Sequence, residues 1–217
     1  MATDAVLADD VAFSKDSDLK RRNRMPEPMY LFFDTETNGL PKRWKAPVTD
    51  VSNWPRLVQI AWVLFDEAGN ELDRNDHIIR PDGFTISRQS SAIHRITTAR
   101  ANAEGVELRP VLDEFEVQMG KATYLVAHNM SFDEKIVGAE FLRNGMPNHI
   151  ASKQKICTMK SMVDYVAIPG SYGYKWPKLG ELHQKLFGHG FEEAHDAAAD
   201  INATAKCFWE ARRLGVL

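Results

Sequence analysis

Met29-Tyr30-Leu31-Phe32-Phe33-Asp34-Thr35-Glu36-Thr37-Asn38-Gly39-Leu40 passes from an apolar run, through two carboxylates, into a turn. The run Met29 to Phe33 carries aromatics and reads as a short buried strand. Side chains two apart on a strand share a face, so Asp34 and Glu36 stand side by side where the run ends. Adjacent carboxylates repel unless a proton or a cation lies between them. Taken alone, the plainer reading of the pair is a solvated strand end before the Asn38–Gly39 turn.

Working outward, Leu57 to Phe65 and Asp76 to Arg80 read as two further strands, joined as a hairpin through Glu67-Ala68-Gly69-Asn70. Val111, Leu112, Phe115 and Met119 recur at helical spacing within Arg109 to Met119. Thr123 to Ala127 reads as another buried strand. It leads into a helix opened by Ser131 and Glu134 as a capping box and closed near Gly145 and Pro147. Helices follow around Met159 to Val166, Lys178 to Leu186 and Asp196 to Leu214. Strands come first and then alternate with helices, which predicts an α/β fold with helices packed on a mixed sheet.

A chain of 217 residues with 44% hydrophobic and 26% charged residues can bury a full core without staples. The net charge of −3 excludes attachment to nucleic acid or membrane by bulk charge, but leaves room for a local basic groove. Cys157 and Cys207 lie outside any metal or disulfide spacing, which fits a reducing compartment. The longest apolar stretch, Val58 to Phe65, is interrupted by Gln59 and too short to span a bilayer. The N-terminus lacks the blocks of a signal peptide, so the expectation is a cytoplasmic protein with no membrane partner. Residues 1–28 mix five aspartates with Lys20, Arg21, Arg22 and Arg24 and read as a flexible tail, solvated in preference to bound to nucleic acid.

Two further stretches place acids at element ends. In His128-Asn129-Met130-Ser131-Phe132-Asp133, a strand gives way to a helix, and sheet ligands favour the carboxyl ends of strands. Asp133 falls in the first helical turn, where the dipole favours a carboxylate in any case, and His128 reads as a hydrogen-bonded packing residue before a ligand. In His195-Asp196-Ala197-Ala198-Ala199-Asp200, Asp196 suits a helix cap, while Asp200 lies one turn in beside small residues that admit close approach. Four carboxylates and a histidine gathered at the ends of one sheet would repel when empty, and divalent cations are the natural remedy. Oxygen ligands without cysteine point to Mg²⁺ or Mn²⁺.

Together these stretches closely resemble the DEDD superfamily of 3′→5′ exonucleases, in its His variant, the DnaQ-like group. The motifs appear in order as Phe33 through Thr37, His128-Asn129 through Phe132-Asp133, and His195 with Asp200 five residues on. Asn38-Gly39-Leu40 and His94-Arg95-Ile96-Thr97 match smaller elements; Ala197 to Ala199 depart from a leucine that many members carry. The resemblance covers about Met29 to Leu214 and implies an RNase H-like fold, a mixed five-stranded sheet flanked by helices. Residues 29–217 would form the exonuclease domain.

Carried over, Asp34, Glu36, Asp133 and Asp200 would be ligands to two divalent cations, with Glu36 also catalytic and His195 the general base. Asp34, Asp133 and Asp200 would hold one ion and Asp34 much of the other; a histidine, with an intrinsic pKa of about 6.5, takes a proton at working pH. Thr35, Thr37, Leu40, His94 and Phe132 would contact substrate, a DNA or RNA 3′ end, although core packing explains Leu40 equally well and Phe132 better, and a turn histidine explains His94 nearly as well. Two loops interleave basic and aromatic residues: Lys42, Arg43, Trp44, Lys45, Trp54 and Arg56, then Tyr172, Tyr174, Lys175, Trp176 and Lys178. Each reads either as a backbone-tracking groove or as a solvated loop pinned by its rings. Competing readings are a proofreading subunit of a polymerase and, ranked low, a catalytically idle nucleic-acid-binding module. The short stretch after the last helix weakly favours a free-standing enzyme.

Overall fold

Successive side chains of Tyr30–Thr37 (β1) face opposite helical layers, and that alternation organises the molecule. The computed structural model describes residues 27–191 and 196–217; the tail expected at residues 1–28 and His195 therefore lie outside the described residues, but for Glu27 and Pro28. β1 pairs antiparallel with Leu57–Phe65 (β2) and parallel with Tyr124–Ala127 (β4). Glu71–Ile78 (β3) adds antiparallel to β2, and Gln154–Cys157 (β5) adds parallel to β4. The order β3-β2-β1-β4-β5 is a mixed five-stranded sheet with β1 at its centre. All nine residues of β2 are buried, as the apolar run from Val58 requires.

The helices are Arg88–His94 (α1), Thr98–Glu104 (α2), Leu108–Lys121 (α3), Met130–Arg143 (α4), Thr158–Ser161 (α5), Val163–Val166 (α6), Leu179–Phe187 (α7) and Ala197–Arg213 (α8). A small hairpin, Pro169–Gly170 (β6) with Gly173–Tyr174 (β7), lies between α6 and α7. Leu31 and Phe33 pack with Leu112 and Phe115 of α3 and with Ile136 and Val137 of α4. On the other face, Tyr30 and Phe32 pack with Ala197, Ile201, Ala205 and Phe208 of α8. Burying each such aromatic stabilises the fold by about 1.5–3 kcal/mol. Among the described residues no helix is long and apolar enough to cross a membrane.

Three local expectations need correction. β3 spans Glu71–Ile78, not Asp76 to Arg80: it starts at once after the hairpin turn, where Gly69 has φ 83° and Asp66 accepts from the Asn70 N–H. Its polar residues suit an exposed edge strand and hid it from a hydrophobic reading. Ser131 and Glu134 do not form a capping box, because α4 begins two residues earlier, after Asn129 in the left-handed region (φ 70°). Glu134 instead pairs with Lys155 at 2.7 Å. The helix expected around Met159 to Val166 is two short helices interrupted at buried Met162.

Candidate active site

Because Tyr30 and Phe32 face α8, strand alternation turns Asp34 and Glu36 to that same side. Asp200 sits in the first turn of α8, three residues after Ala197, on the face that α8 buries against β1. Carboxylate oxygens of Asp34, Glu36 and Asp200 all lie within 4.8 Å of one another, and the three residues are half-buried. Just past Glu36 the β1–β2 register shifts, with Glu36 opposite Gln59 and Thr37 opposite Leu57, an irregularity that ends regular pairing beside the cluster.

Asp133 reaches the cleft from the opposite helical layer. Thr35, pointing away from Asp34, donates to Asp133 Oδ1 from both its backbone N–H (3.1 Å) and its hydroxyl (2.7 Å). These bonds fix a buried carboxylate beside the other three, though Asp133 is not in the compact group of Asp34, Glu36 and Asp200. All four line one cleft of about 840 Å³.

The electrostatics follow from crowding. Burial holds the Asp34 carboxyl well above the usual carboxylate range, and Asp133, Asp200, Glu36 and Asp196 push it further. Burial, then Asp200, Asp133 and Asp196, pushes Glu36 up to about 8. Asp133 is raised mainly by burial, against the opposing hydrogen bonds from Thr35 and its own backbone. A basin of acids that retain protons near neutrality has too little positive charge nearby. Its oxygen donors, close enough to share an ion, fit a divalent metal ion.

The remaining expected residues are spread over the surroundings. Phe132 lines the cleft and packs against Trp44, with ring centroids 5.9 Å apart. Leu40 is exposed beyond the first motif. His94 is buried: its Nδ1 accepts from the Ile96 N–H, so Nε2 carries the proton and donates to the Thr37 carbonyl at 3.3 Å. Burial lowers its pKa, in keeping with a neutral ring that braces the turn after β1. The Thr37 hydroxyl donates to the Gly39 carbonyl within that turn. Asp196 caps α8 by accepting from the Ala199 N–H.

His128 lines the cleft with both nitrogens engaged, Nε2 donating to the Pro177 carbonyl (3.1 Å) and Nδ1 accepting from the Thr158 hydroxyl (3.0 Å). Burial lowers its pKa to about 4, so it is a neutral packing residue, as its sequence context suggested.

Reading the sequence missed Gln59, which donates to Asp76 from Nε2 at 2.8 Å and accepts from the Ala197 N–H at 3.4 Å. It thereby ties β2 and β3 to the start of the helix that carries Asp200. Its signal was the lone polar side chain in an otherwise apolar strand. Also missed as cleft walls were Met159, Pro177, Leu179, Gly180 and Phe191.

Comparison with known proteins places these features. Residues 31–208 match the RNase_T family model, described as exonuclease. The chain is 32% identical over 183 residues to the DNA polymerase III PolC-type of Lactococcus lactis subsp. lactis, covering 84% of this chain and 10% of that protein. The PolC-type protein of Streptococcus pneumoniae (strain D39) gives 32% identity over 183 residues, covering 84% of this chain and 11% of the relative. The chain thus spans about a tenth of the length of these relatives. Among solved structures, E. coli Exonuclease I in complex with a dT13 oligonucleotide superposes with a TM-score of 0.69 at 22% identity, over 87% of this chain and 43% of that one. The zinc-ion-bound complex of the same enzyme with single-stranded DNA gives 0.68 at 22% identity, over 87% and 41%. At such identity these likenesses speak for the shared sheet-and-helix fold.

Proposed function

The chain belongs to the RNase_T exonuclease family, a DEDD-type 3′→5′ exonuclease domain, and from that premise we propose that it hydrolyses DNA from 3′ ends in the His-dependent manner of the DEDD group. The observation that carries this reading is the approach of Asp34, Glu36 and Asp200 to within 4.8 Å, with Asp133 held alongside by Thr35. In this reading the four acids hold two divalent cations. Such ions lower the pKa of a bound water and stabilise charge on a departing 3′-oxygen. The chain's own work is to fix the acids on separate rigid elements, to seat the terminal nucleotide beside Phe132, and to accept the water's proton on His195.

The test is degradation of matched 3′-labelled and 5′-labelled DNA and RNA strands with Mg²⁺ or Mn²⁺ and with chelator. Stepwise shortening from the 3′ end, abolished by chelator and by Asp200→Ala in a folded protein, is the expected result. Retention of most activity by Asp200→Ala would remove that residue from the scheme. The rate should also fall on the acid side as His195 becomes protonated, and His195→Ala should lose that limb along with most of the rate. An unchanged pH profile in His195→Ala would count against it as the base.

The PolC-type relatives favour a second reading, in which the same chemistry serves proofreading beside a DNA polymerase. Co-purification with a polymerase, and preferential removal of mismatched 3′ termini, would distinguish it from a free-standing role.

A further inference from the structure

The two basic and aromatic loops flanking the cleft have different fates in the fold. In the first, Arg43 pairs with Asp50 and Arg56 with Glu140, Trp54 is buried, and Trp44 leans on Phe132. That loop spends two of its four cations on ion pairs, and neither its cations nor its two tryptophans line the cleft. The second is unlike it. From Ile168 to Lys178 the chain carries two lysines and no acid. Tyr172, Tyr174 and Trp176 stand exposed along it, the last with 62% of its surface accessible although it lines the cleft. Lys160 lies 6.0 Å above the Trp176 ring, and Lys178 also lines the cleft. Glu181 takes up Lys175 at 2.6 Å, so the lysine that lines the cleft on this side is Lys178.

Three exposed aromatics within five residues form the kind of exposed apolar surface that marks an interaction site. Trp176 is also held in place, because His128 donates to the Pro177 carbonyl and accepts from Thr158, at the start of α5. Both ring nitrogens are thus spent on hanging this wall from the carboxyl end of β4. Glu181 fixes the other end by accepting from the Lys178 N–H at 2.8 Å. A rigid aromatic face beside a lysine, opening on a cleft floored by acids, suits an unpaired base with its phosphate.

We propose that Trp176 is a stacking platform for an unstacked base of a single-stranded nucleic acid whose 3′ end lies over the carboxylates, and that His128 is the positioning residue that holds the platform. This rests on the nuclease reading of the cleft. A duplex hides its base faces, so the platform selects single strands.

The test measures binding apart from hydrolysis: fluorescence anisotropy of a labelled single-stranded oligonucleotide with a phosphorothioate 3′ end, in Ca²⁺. Trp176 is exposed, so Trp176→Ala should fold; it should raise Kd about tenfold, the scale of one stacked base, and Trp176→Phe should restore most of the loss. With hydrolysable strands in Mg²⁺, the same loss should appear in KM more than in kcat. His128→Ala should weaken binding too, and adding Trp176→Ala to it should cost clearly less than in the wild type. His128→Asn serves if the alanine variant does not fold, and full additivity in either background would deny His128 its positioning role. Equal Kd for wild type and Trp176→Ala, or no binding by the wild type, overturns the platform and leaves the aromatic ridge to a protein partner. Tight, Trp176-dependent binding without hydrolysis in Mg²⁺ would sink the exonuclease reading and keep the platform.

Discussion

Thr35 shows how one residue joins two layers of the site. Its neighbours Asp34 and Glu36 face α8, while its own N–H and hydroxyl meet Asp133 on α4. A hydroxyl donating to a buried carboxyl oxygen contributes roughly 1–3 kcal/mol, toward the upper end once that carboxyl is ionised. Thr35→Val keeps the shape but removes that donor, so unfolding in urea should show a loss of about 1–3 kcal/mol, with Thr35→Ser recovering much of it. An unchanged midpoint would mean that Asp133 finds another donor. The crowding that raises Glu36 to about 8 gives a companion expectation. Glu36→Gln removes a charge that its neighbours oppose, so the metal-free variant should melt above the wild type at pH 8.5 while binding Mn²⁺ more weakly by calorimetry.

At the scale of elements, the site depends on how α4 is clamped to the start of β2. Glu140 is fully buried on α4; its Oε1 accepts from the Leu57 N–H at 3.0 Å and from Arg56 Nε at 2.9 Å, and forms an ion pair with Arg143 at 2.8 Å. Arg143 in turn donates to the Trp54 carbonyl, closing the loop between β1 and β2 onto the helix. Because α4 carries Asp133 and β2 carries Gln59, this clamp sets the distance between the two halves of the cluster. Removing one partner of a buried ion pair strands the others, at about 3–5 kcal/mol. Glu140→Ala should therefore shift the unfolding free energy by that amount, well beyond the effect of cutting an exposed pair such as Arg100–Glu104. A shift below about 1 kcal/mol would show that the clamp is incidental.

For the molecule as a whole, the acid cluster makes stability depend on pH and on cations. Folded Glu36 keeps its proton up to about pH 8, whereas an unfolded glutamate releases it near 4.5. Between those limits the folded state binds more protons, so stability falls as pH rises. Asp34 and Asp133 shift in the same direction. With chelator, the melting temperature should drop by several degrees from pH 5.5 to 8.5; Mg²⁺ or Mn²⁺ should restore it most at the upper end. A melting curve equally insensitive to pH and to cations would mean that the carboxylates do not crowd as the fold places them.

What the chain dictates alone is its alternation and its periods. The apolar runs of β1, β2 and β4 and the spacing of Val111, Leu112, Phe115 and Met119 specify central strands and a packed helix, since burial needs apolar side chains at fixed intervals. The acids at the ends of those runs were legible for the same reason, and the resemblance of their order named a chemistry. Polar β3, the four-residue β5 and the short helices α1 and α2 had no such period to betray them. α1 and α2 are set by Ser87 and Thr97, whose side chains accept from Ser90 and Arg100 N–H groups. Tertiary structure decided which carboxylates meet, that Thr35 and Gln59 serve them from behind, and that of the two aromatic loops only the second, through Trp176 and Lys178, lines the cleft. Those are matters of long-range register and of competition for partners, and neither is written in the local order of residues.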